Sequence, residues 1–267
     1  MSARAMWKGV LRVADASVPV KLFSAVESHD IRFRLLEEKK LAPVTQSLVH
    51  PETDEVVPYE ETLRGYRSPE GDLVMLKAEE LESLAPQPSR EIEVVQFLPR
   101  GAIDTQWYDR PYFLGPDRSA GSYHALAAAL ERRESQGVAR WVMRKKEYVG
   151  ALSVHAGLLV LVTLRHAGEV LPIESLETPS GPSLDAKELE MARQLMEMLE
   201  AKFDPTEYRD EYRDRVRALI EAKQRGRQPK LEVVRPKART DDLTAALRAS
   251  LRSHTRSKTK EKARATS

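Results

Sequence analysis

The stretch Val138–Leu164 constrains the fold most, because it contains three strand-like segments in succession. Val138–Met143 is rich in β-branched and aromatic residues, and Glu147–Val154 returns as a second strand. A turn at His155–Gly157 follows, with a glycine free to adopt positive φ. Leu158–Leu164 is an almost continuous apolar run, as in a strand buried on both faces. The pattern predicts an antiparallel β-meander with an apolar base.

The first turn of this meander carries three consecutive cations, Arg144, Lys145 and Lys146. Turns are usually polar, so an ordinary solvated turn is one interpretation. The other is a finger that contacts phosphates, since Lys and Arg are the side chains that neutralise a nucleic-acid backbone. The turn alone leaves both interpretations open.

Composition limits the classes of protein that fit. The 267 residues suggest one or two domains. There is no cysteine, which excludes a disulfide framework, a thiolate nucleophile and a cysteine-based zinc site. The N-terminus has no apolar leader region, and no run of about 18 apolar residues occurs. We therefore expect a soluble, cytoplasmic protein.

Charge is unevenly distributed along the chain. Residues 226–267 contain twelve Lys or Arg and four Asp or Glu, an excess of +8. By difference from the totals of 43 and 41, the first 225 residues hold 31 basic and 37 acidic residues, or −6. A mildly acidic body with a basic tail is typical of proteins that bind polyanions, although such a tail also serves solubility alone.

The segments before the meander predict a mainly β core, either a barrel or a sandwich, with a few helices. Pro111 interrupts its strand and favours an edge position. Ser122 is the expected N-cap of the longest helix, whose apolar face is formed by Tyr123, Leu126, Ala127 and Leu130. The predicted strands are Met6–Leu11, Val18–Phe23, Ile31–Leu36, Leu73–Leu76, Ile92–Phe97 and Trp107–Leu114, and the predicted helices are Pro58–Gly65, Ala78–Leu84 and Ser122–Glu134.

One of these strands, Ile31–Leu36, alternates between apolar and cationic residues. Its apolar row faces the core in the predicted half-buried strand, and Arg32 and Arg34 form the outer row. The cationic row is either an ordinary solvent-facing surface or part of a DNA-binding surface.

The periodicity becomes helical after Pro172. Asp185 followed by Glu188 has the capping-box spacing at the start of one helix. Asp204 followed by proline predicts a second helix that runs to about Arg225. The apolar stripes of both helices are expected to dock on the core or on a second subunit. Beyond Gly226 we expect a largely disordered tail, with a marginal short helix near Leu243–Leu251.

Signatures of catalysis are missing from the chain. It has neither a phosphate-binding glycine loop nor a nucleophile elbow, and its six histidines are scattered without helical metal-ligand spacing. We therefore name no catalytic residue, metal ligand or cofactor. A metal-dependent nuclease is kept as the least favoured alternative, because it would also bind DNA.

Six short segments, taken in their order along the chain, form one further pattern: Val18–Ala25, Asp30–Phe33, Val57–Glu60 with Gly65-Tyr66, Arg110–Asp117, Ala139–Tyr148 and Phe203–Tyr212. Together and in this order they resemble segments of the bacterial Ku family, the DNA-end-binding proteins of non-homologous end joining. The chain departs from the usual pattern of that family at Leu11–Ala16 and Glu38–Glu55.

The resemblance implies a homodimer whose β-barrel cores and bridging segments form a ring around duplex DNA. Such a ring loads from a free end, contacts the sugar-phosphate backbone without reading bases, protects ends and recruits the ATP-dependent DNA ligase D. Arg140 is expected to be either a ring contact or part of a buried ion pair. The candidate phosphate contacts are Arg32, Arg34, Arg140, Arg144, Lys145, Lys146 and, in the tail, Arg252, Arg256, Lys258, Lys260, Lys262 and Arg264.

The sequence thus predicts a mainly β protein with appended helices, built on a Ku-type barrel. The expected domains are a core with its DNA-encircling bridge over residues 1–178, a helical arm over 179–225 and a basic tail over 226–267. The predicted function is sequence-independent binding of double-stranded DNA ends by a non-enzymatic, nucleoid-associated homodimer. The main alternative is a basic-tailed nucleoid protein that coats duplex DNA without needing ends.

Overall fold

The computed structural model of the protein describes residues 4–118, 120–177, 181 and 185–227. The chain divides into two compact units, Met1–Leu176 and Glu177–Ser267. Nine strands and four α-helices lie within the described ranges: β1 Trp7–Val13, β2 Ala16–Ser24, β3 Arg64–Arg67, β4 Leu73–Leu76, α1 Ala78–Ser83, β5 Glu91–Pro99, β6 Tyr108–Pro116, α2 Ala120–Arg132, β7 Ser135–Met143, β8 Lys146–His155, β9 Leu158–Leu164, α3 Ala186–Leu199 and α4 Glu211–Gln224.

Seven strands of the first unit close into a barrel in the order β1-β2-β6-β9-β8-β7-β5, which confirms the predicted mainly β fold with helices. Six neighbouring pairs are antiparallel. The seventh pair is parallel and closes the barrel, with Val10–Val13 beside Glu91–Val94. Closure satisfies backbone groups that an open sheet would leave at its edges. Strands β3 and β4 form a separate two-stranded sheet.

The three-strand meander predicted from Val138–Leu164 is confirmed as β7, β8 and β9. The expectation that its last strand is buried on both faces is wrong. Leu159, Leu161 and Thr163 are buried, whereas the alternate residues of β9 are half-buried or exposed. This alternation follows from the pleat of a strand in a barrel wall, where one face looks into the core and the other looks outwards.

Two tryptophans occupy space that neighbouring glycines leave open inside the barrel. A Cβ atom at Gly150 would lie 2.8 Å from the ring of Trp141 and 2.8 Å from the carbonyl oxygen of Val162. A Cβ atom at Gly9 would lie 2.0 Å from the Trp7 ring. Trp141 is buried in the core, and Trp7 packs against it. These close approaches explain why the two apolar strands carry glycine at those positions.

The predicted edge position of the strand around Pro111 is also wrong. Strand β6 pairs with β2 on one side and β9 on the other. The register between β6 and β9 shifts between Tyr108 and Pro111, so the proline lies at an irregularity of the ladder, where its missing N–H does least harm. A closed barrel tolerates proline there without an edge.

The helix before the meander has the predicted apolar face, but it begins earlier than expected. Tyr123, Ala127 and Leu130 of α2 are buried. The Tyr123 hydroxyl donates to the carbonyl oxygen of Leu114 at 2.6 Å and accepts from the N–H of Leu159 at 2.9 Å. Helix α2 starts at Ala120, so the expectation that Ser122 is its N-cap is wrong.

The strand predicted at Ile31–Leu36 does not form. Between the end of β2 and Tyr59, all of which the structure describes, the backbone makes only two isolated bridges, Leu36 with Pro43 and Val49 with Val56. Phe33 and Leu35 are 71% and 66% exposed. Within the described ranges, nothing covers the side chains of Phe33 and Leu35, and alternation alone does not make a strand without a neighbour to pair with. The helix predicted at 58–65 is reduced to a single 3₁₀ turn at Tyr59–Glu61, followed by β3.

The second unit confirms the first of its two predicted helix starts. The Asp185 carboxylate accepts from the N–H of Lys187 at 3.3 Å, and the Asp185 N–H donates to Glu188 at 3.2 Å, which is the predicted capping box of α3. Asp204 caps only the 3₁₀ turn Pro205–Glu207. The following helix, α4, starts later than predicted because Asp210 accepts from the Arg213 N–H at 3.0 Å and forms a second N-cap.

None of the helices within the described ranges has the length and apolar character needed to cross a membrane.

Candidate nucleic-acid interface

The turn between β7 and β8 presents the three cations on a strained backbone. Met143 pairs with Lys146, which leaves Arg144 and Lys145 as the two turn residues, with φ of 53° and 61°. Positive φ at both central positions is the mark of the type I′ hairpin, which favours Asn-Gly. Each non-glycine residue in this region costs about 1–2 kcal/mol. The hairpin thus retains two long cationic side chains at positions better suited to Asn and Gly. Arg144, Lys145 and Lys146 are called the cationic tip below.

Two members of the cationic tip are held by neighbouring groups. The Lys145 ammonium donates a hydrogen bond to the Glu82 carboxylate of α1. This bond, together with the lysine charge, lowers the pKa of Glu82. The Lys146 ammonium lies 5.5 Å from the centroid of the Tyr148 ring, which stacks on Trp141 at 5.3 Å. The tip is therefore connected to α1 and, through two aromatic rings, to the barrel core.

Arg144 and Arg140 are exposed, and neither has an ion-pair partner among the described residues. The interpretation of Arg140 as part of a buried ion pair is wrong, because its side chain points outward from β7, on the same face as the half-buried Val138 and Val142. In the barrel wall it lies between Glu93 of β5 and Val149 of β8. Arg140 and the tip thus provide exposed cations along a single strand and its turn.

Arg32 and Arg34 do not form the predicted cationic row of a strand. Both are exposed, but so are Phe33 and Leu35 between and beside them. No hydrogen bond or ion pair joins either arginine to the tip within the part of the chain that the structure describes. The structure therefore does not bring these two candidates together with Arg144–Lys146.

The basic candidates of the tail lie outside the described residues. They are Arg252, Arg256, Lys258, Lys260, Lys262 and Arg264.

A second group of cations, missed by the sequence reasoning, surrounds Asp117 on the barrel wall. Lys21 lies 3.1 Å and Lys8 3.7 Å from its carboxylate oxygens. The hydrogen bond from Lys21 is the main cause of the lowered pKa of Asp117, and the charges of Lys8 and Arg118 act in the same direction. Lys8 and Lys21 are register partners on β1 and β2. A hairpin over Trp7–Ser24 with this register would have predicted from the sequence that the two lysines lie side by side.

The described side chains provide no group of three or more His, Asp or Glu residues that could hold one metal ion. No metal ligand is therefore assigned within those ranges.

The chain is similar in sequence to known proteins of one family. A family model described as the Ku70/Ku80 beta-barrel domain matches residues 12–191. A protein named "Non-homologous end joining protein Ku 2" from Geotalea uraniireducens is 36% identical over 211 residues, covering 79% of this chain and 82% of the relative. The protein named "Non-homologous end joining protein Ku" from Coxiella burnetii is 33% identical, with 79% of each chain covered. Its namesake from Mycobacterium tuberculosis is 34% identical, with 78% of each chain covered.

Proposed function

The chain belongs to the Ku family, and from that premise we propose that it binds ends of double-stranded DNA without sequence specificity in bacterial non-homologous end joining. It does so as a homodimeric ring that threads onto the duplex. The observation that carries the proposal is the cationic tip. Its exposed cations on a strained turn suit phosphate oxygens, which carry no sequence information.

Contact with the phosphates of the DNA backbone explains how a protein with an acidic body can bind a polyanion. Each cation that neutralises a phosphate releases counterions, so a few well-placed side chains contribute more than net charge does. Arg140 and the cationic tip form the ring lining contributed by the barrel, and Arg32 and Arg34 add contacts from the bridging segment. The tail cations add further phosphate contacts.

The proposed homodimer is supported by apolar side chains that one chain leaves uncovered. An exposed apolar surface of this extent marks an interaction site, and a second copy is the partner that closes a ring. The exposed residues are Phe33, Leu35, Leu41, Leu48, Val56, Tyr59 and Leu63. They all lie between β2 and β3, in the segment that would bridge the two barrels.

In this proposal the protein is an end-protecting and recruiting factor and not an enzyme. Residues 1–178 form the barrel core with its bridge, residues 179–225 the helical arm and residues 226–267 the basic tail. The arm and tail carry the contact with the ATP-dependent DNA ligase D. The ring keeps the end accessible to that ligase while it shields the duplex behind it.

The deciding experiment compares one DNA sequence in linear and covalently closed circular form, with the full-length protein at moderate salt. A threaded ring is retained on the linear form, accumulates further complexes as the DNA lengthens, and leaves the circle largely free. Sedimentation of the free protein should give a dimer. Retention on the circle equal to that on the linear form would reject the ring.

The second candidate is a nucleoid-type protein that coats duplex DNA without needing ends. The +8 excess of residues 226–267 is the observation that favours it. A protein truncated after Arg225 separates the two, since it still loads on ends as a ring but loses most binding if the tail alone adheres. A nuclease would instead show cleavage of either DNA form on addition of Mg²⁺.

A further inference from the structure

A groove of about 470 Å³ lies directly beside the cationic tip. Its floor includes Trp7 at the start of β1, Val142 near the end of β7, and Pro86 in the connection between α1 and β5. Its volume is within the range of clefts that take small molecules. The groove therefore joins an aromatic and apolar surface to the proposed phosphate-binding tip.

Three of the residues that line the groove are cationic: Arg90, Arg144 and Lys145. Lys145 is engaged by Glu82. Arg90 and Arg144 are exposed and have no ion-pair partner among the described residues. The carboxylate that follows Arg90 in the sequence, Glu91, is paired instead with Arg12 at 3.0 Å. Two guanidinium groups are thus free to bind an anion at the mouth of an apolar cleft.

The walls of the groove are held by the barrel itself. The carbonyl oxygen of Arg90 accepts from the N–H of Val10 at 2.8 Å, which extends the parallel pairing of β1 and β5 by one residue. Trp7 pairs with Leu22 of β2 and packs against the core. A cleft built on paired strands is formed before any ligand arrives, so binding requires little ordering of the protein.

We propose that this groove binds one unpaired nucleotide of a DNA strand, with the base against Trp7 and Pro86 and its phosphate at Arg90 and Arg144. The inference rests on the proposed DNA-end binding and adds to it. The flat aromatic face of a base joined to a phosphate matches an aromatic surface beside free guanidinium groups, and proteins bind single strands without reading sequence in this way. A duplex end with a single-stranded overhang supplies such a nucleotide, and a blunt end does not.

The test compares the full-length protein on a blunt duplex and on the same duplex extended by a short overhang, prepared once with each polarity. We expect at least one overhang to bind about tenfold more tightly than the blunt end, the gain of one stacked base. The Arg90→Ala variant should lose this preference, and the Trp7→Phe variant, which keeps a smaller aromatic ring, should show it reduced. Both variants should retain their affinity for the blunt duplex. Arg100→Ala removes an exposed arginine at the other end of β5 and should leave the preference intact.

Two results would overturn the inference while leaving end binding in place. One is equal affinity of the unaltered protein for blunt and extended ends. The other is a loss in Arg90→Ala that affects blunt and extended duplexes equally, which would make Arg90 an ordinary contact to the duplex backbone.

A fluorescence titration separates failure of the groove from failure of the proposed function. A short oligothymidylate should quench the fluorescence of Trp7, seen as the difference between the unaltered protein and Trp7→Phe, which keeps Trp107 and Trp141. Quenching by the oligothymidylate together with equal binding to linear and circular duplex would reject the ring and keep the groove. Absence of this Trp7 quenching would reject the groove whatever the duplex experiments show.

Discussion

The two turns at the ends of β8 have similar backbone conformations, but one carries two cations and the other carries no charge. At one end Arg144 and Lys145 have φ of 53° and 61°, and at the other Ala156 and Gly157 have φ of 49° and 78°. Both are two-residue turns between antiparallel strands. The second has glycine, which suits positive φ, at its second position, so only Ala156 bears the cost of a non-glycine residue there. The first places the two longest cationic side chains in the same conformation.

The comparison shows that the barrel requires the shape of these turns and not their charge. The Ala156-Gly157 turn closes its hairpin without any charged side chain in the turn. The cations of the other turn are therefore not explained by folding, which fits the binding role proposed for them. The same logic applies to Lys146, whose place as the first residue of β8 does not demand a positive charge.

The largest effect is expected from removing the charge of the tip. Changing Arg144, Lys145 and Lys146 together to alanine should weaken binding to linear duplex by about a hundredfold or more near physiological salt, since the dimer loses three phosphate contacts from each protomer. The slope of log K against log salt should flatten by up to about 5.4, or about 0.9 for each of the six contacts. Binding titrations at several salt concentrations measure both quantities.

A matched control removes three exposed cations from another part of the barrel unit by changing Arg100, Arg132 and Arg133 to alanine. Arg100 follows the end of β5, and the other two lie at the end of α2 and directly after it. It changes the net charge by the same amount and should leave the salt slope nearly unchanged. An unchanged slope in the tip variant instead would identify the turn as an ordinary solvated one.

A smaller change should separate folding from binding. Replacing Arg144 and Lys145 by Asn and Gly gives the turn its preferred type I′ residues, so the free energy of unfolding should rise by about 1 kcal/mol. Binding to linear duplex should nevertheless fall at least about tenfold, because two phosphate contacts are removed from each protomer of the dimer. Denaturant unfolding and DNA titration provide the two measurements. A variant that gains stability and keeps full affinity would show that the cations are not functional.

The sequence predicted the elements whose partners are close along the chain. Val138–Leu164 was interpreted correctly as three strands because each strand pairs with the next one. The capping box at Asp185 was equally local. The tip followed from the same reasoning, since three cations between two strands can only lie at their turn.

The errors arose where the partner is distant or lies outside the chain. Pro111 indicated an edge strand, but β6 pairs with β2 on one side and β9 on the other, and these partners lie about 90 and about 50 positions away in the sequence. Phe33 and Leu35 alternate like a half-buried strand, but no part of the chain that the structure describes covers them. Arg90 was missed because it lies beside the cationic tip only in the folded chain, where the connection between α1 and β5 and the tip line one groove. Local sequence patterns do not show which distant segments come into contact.

The opposite turn offers a test by transplantation. Changing Ala156 to Arg and Gly157 to Lys gives it the charge of the tip. We expect no gain in the linear-over-circular preference, because that end of β8 does not face the DNA in the proposed ring. Stability should fall by about 1–2 kcal/mol, since a lysine must adopt the φ of 78° at position 157. A clear gain in end binding would contradict the assigned orientation of the barrel.

The smallest effect concerns Glu82, whose carboxylate binds Lys145 of the tip. Glu82→Gln removes a negative charge beside the phosphate path and frees the lysine, so affinity for linear duplex should rise about two- to threefold at low salt and less at high salt. The pair is exposed, and thermal unfolding at neutral pH should therefore be unchanged.

The pH dependence distinguishes this mechanism from a purely structural one. Lys145 lowers the pKa of Glu82 from its ordinary value of 4.5, so the pair is intact above that value and is lost as the pH falls through the lowered pKa. The unaltered protein and Glu82→Gln should therefore differ in DNA affinity by a constant factor above pH 5 and converge only in more acidic solution. Weaker binding by Glu82→Gln at neutral pH would show instead that Glu82 orients Lys145 towards the phosphate, and the contrast between the two turns would then extend to α1.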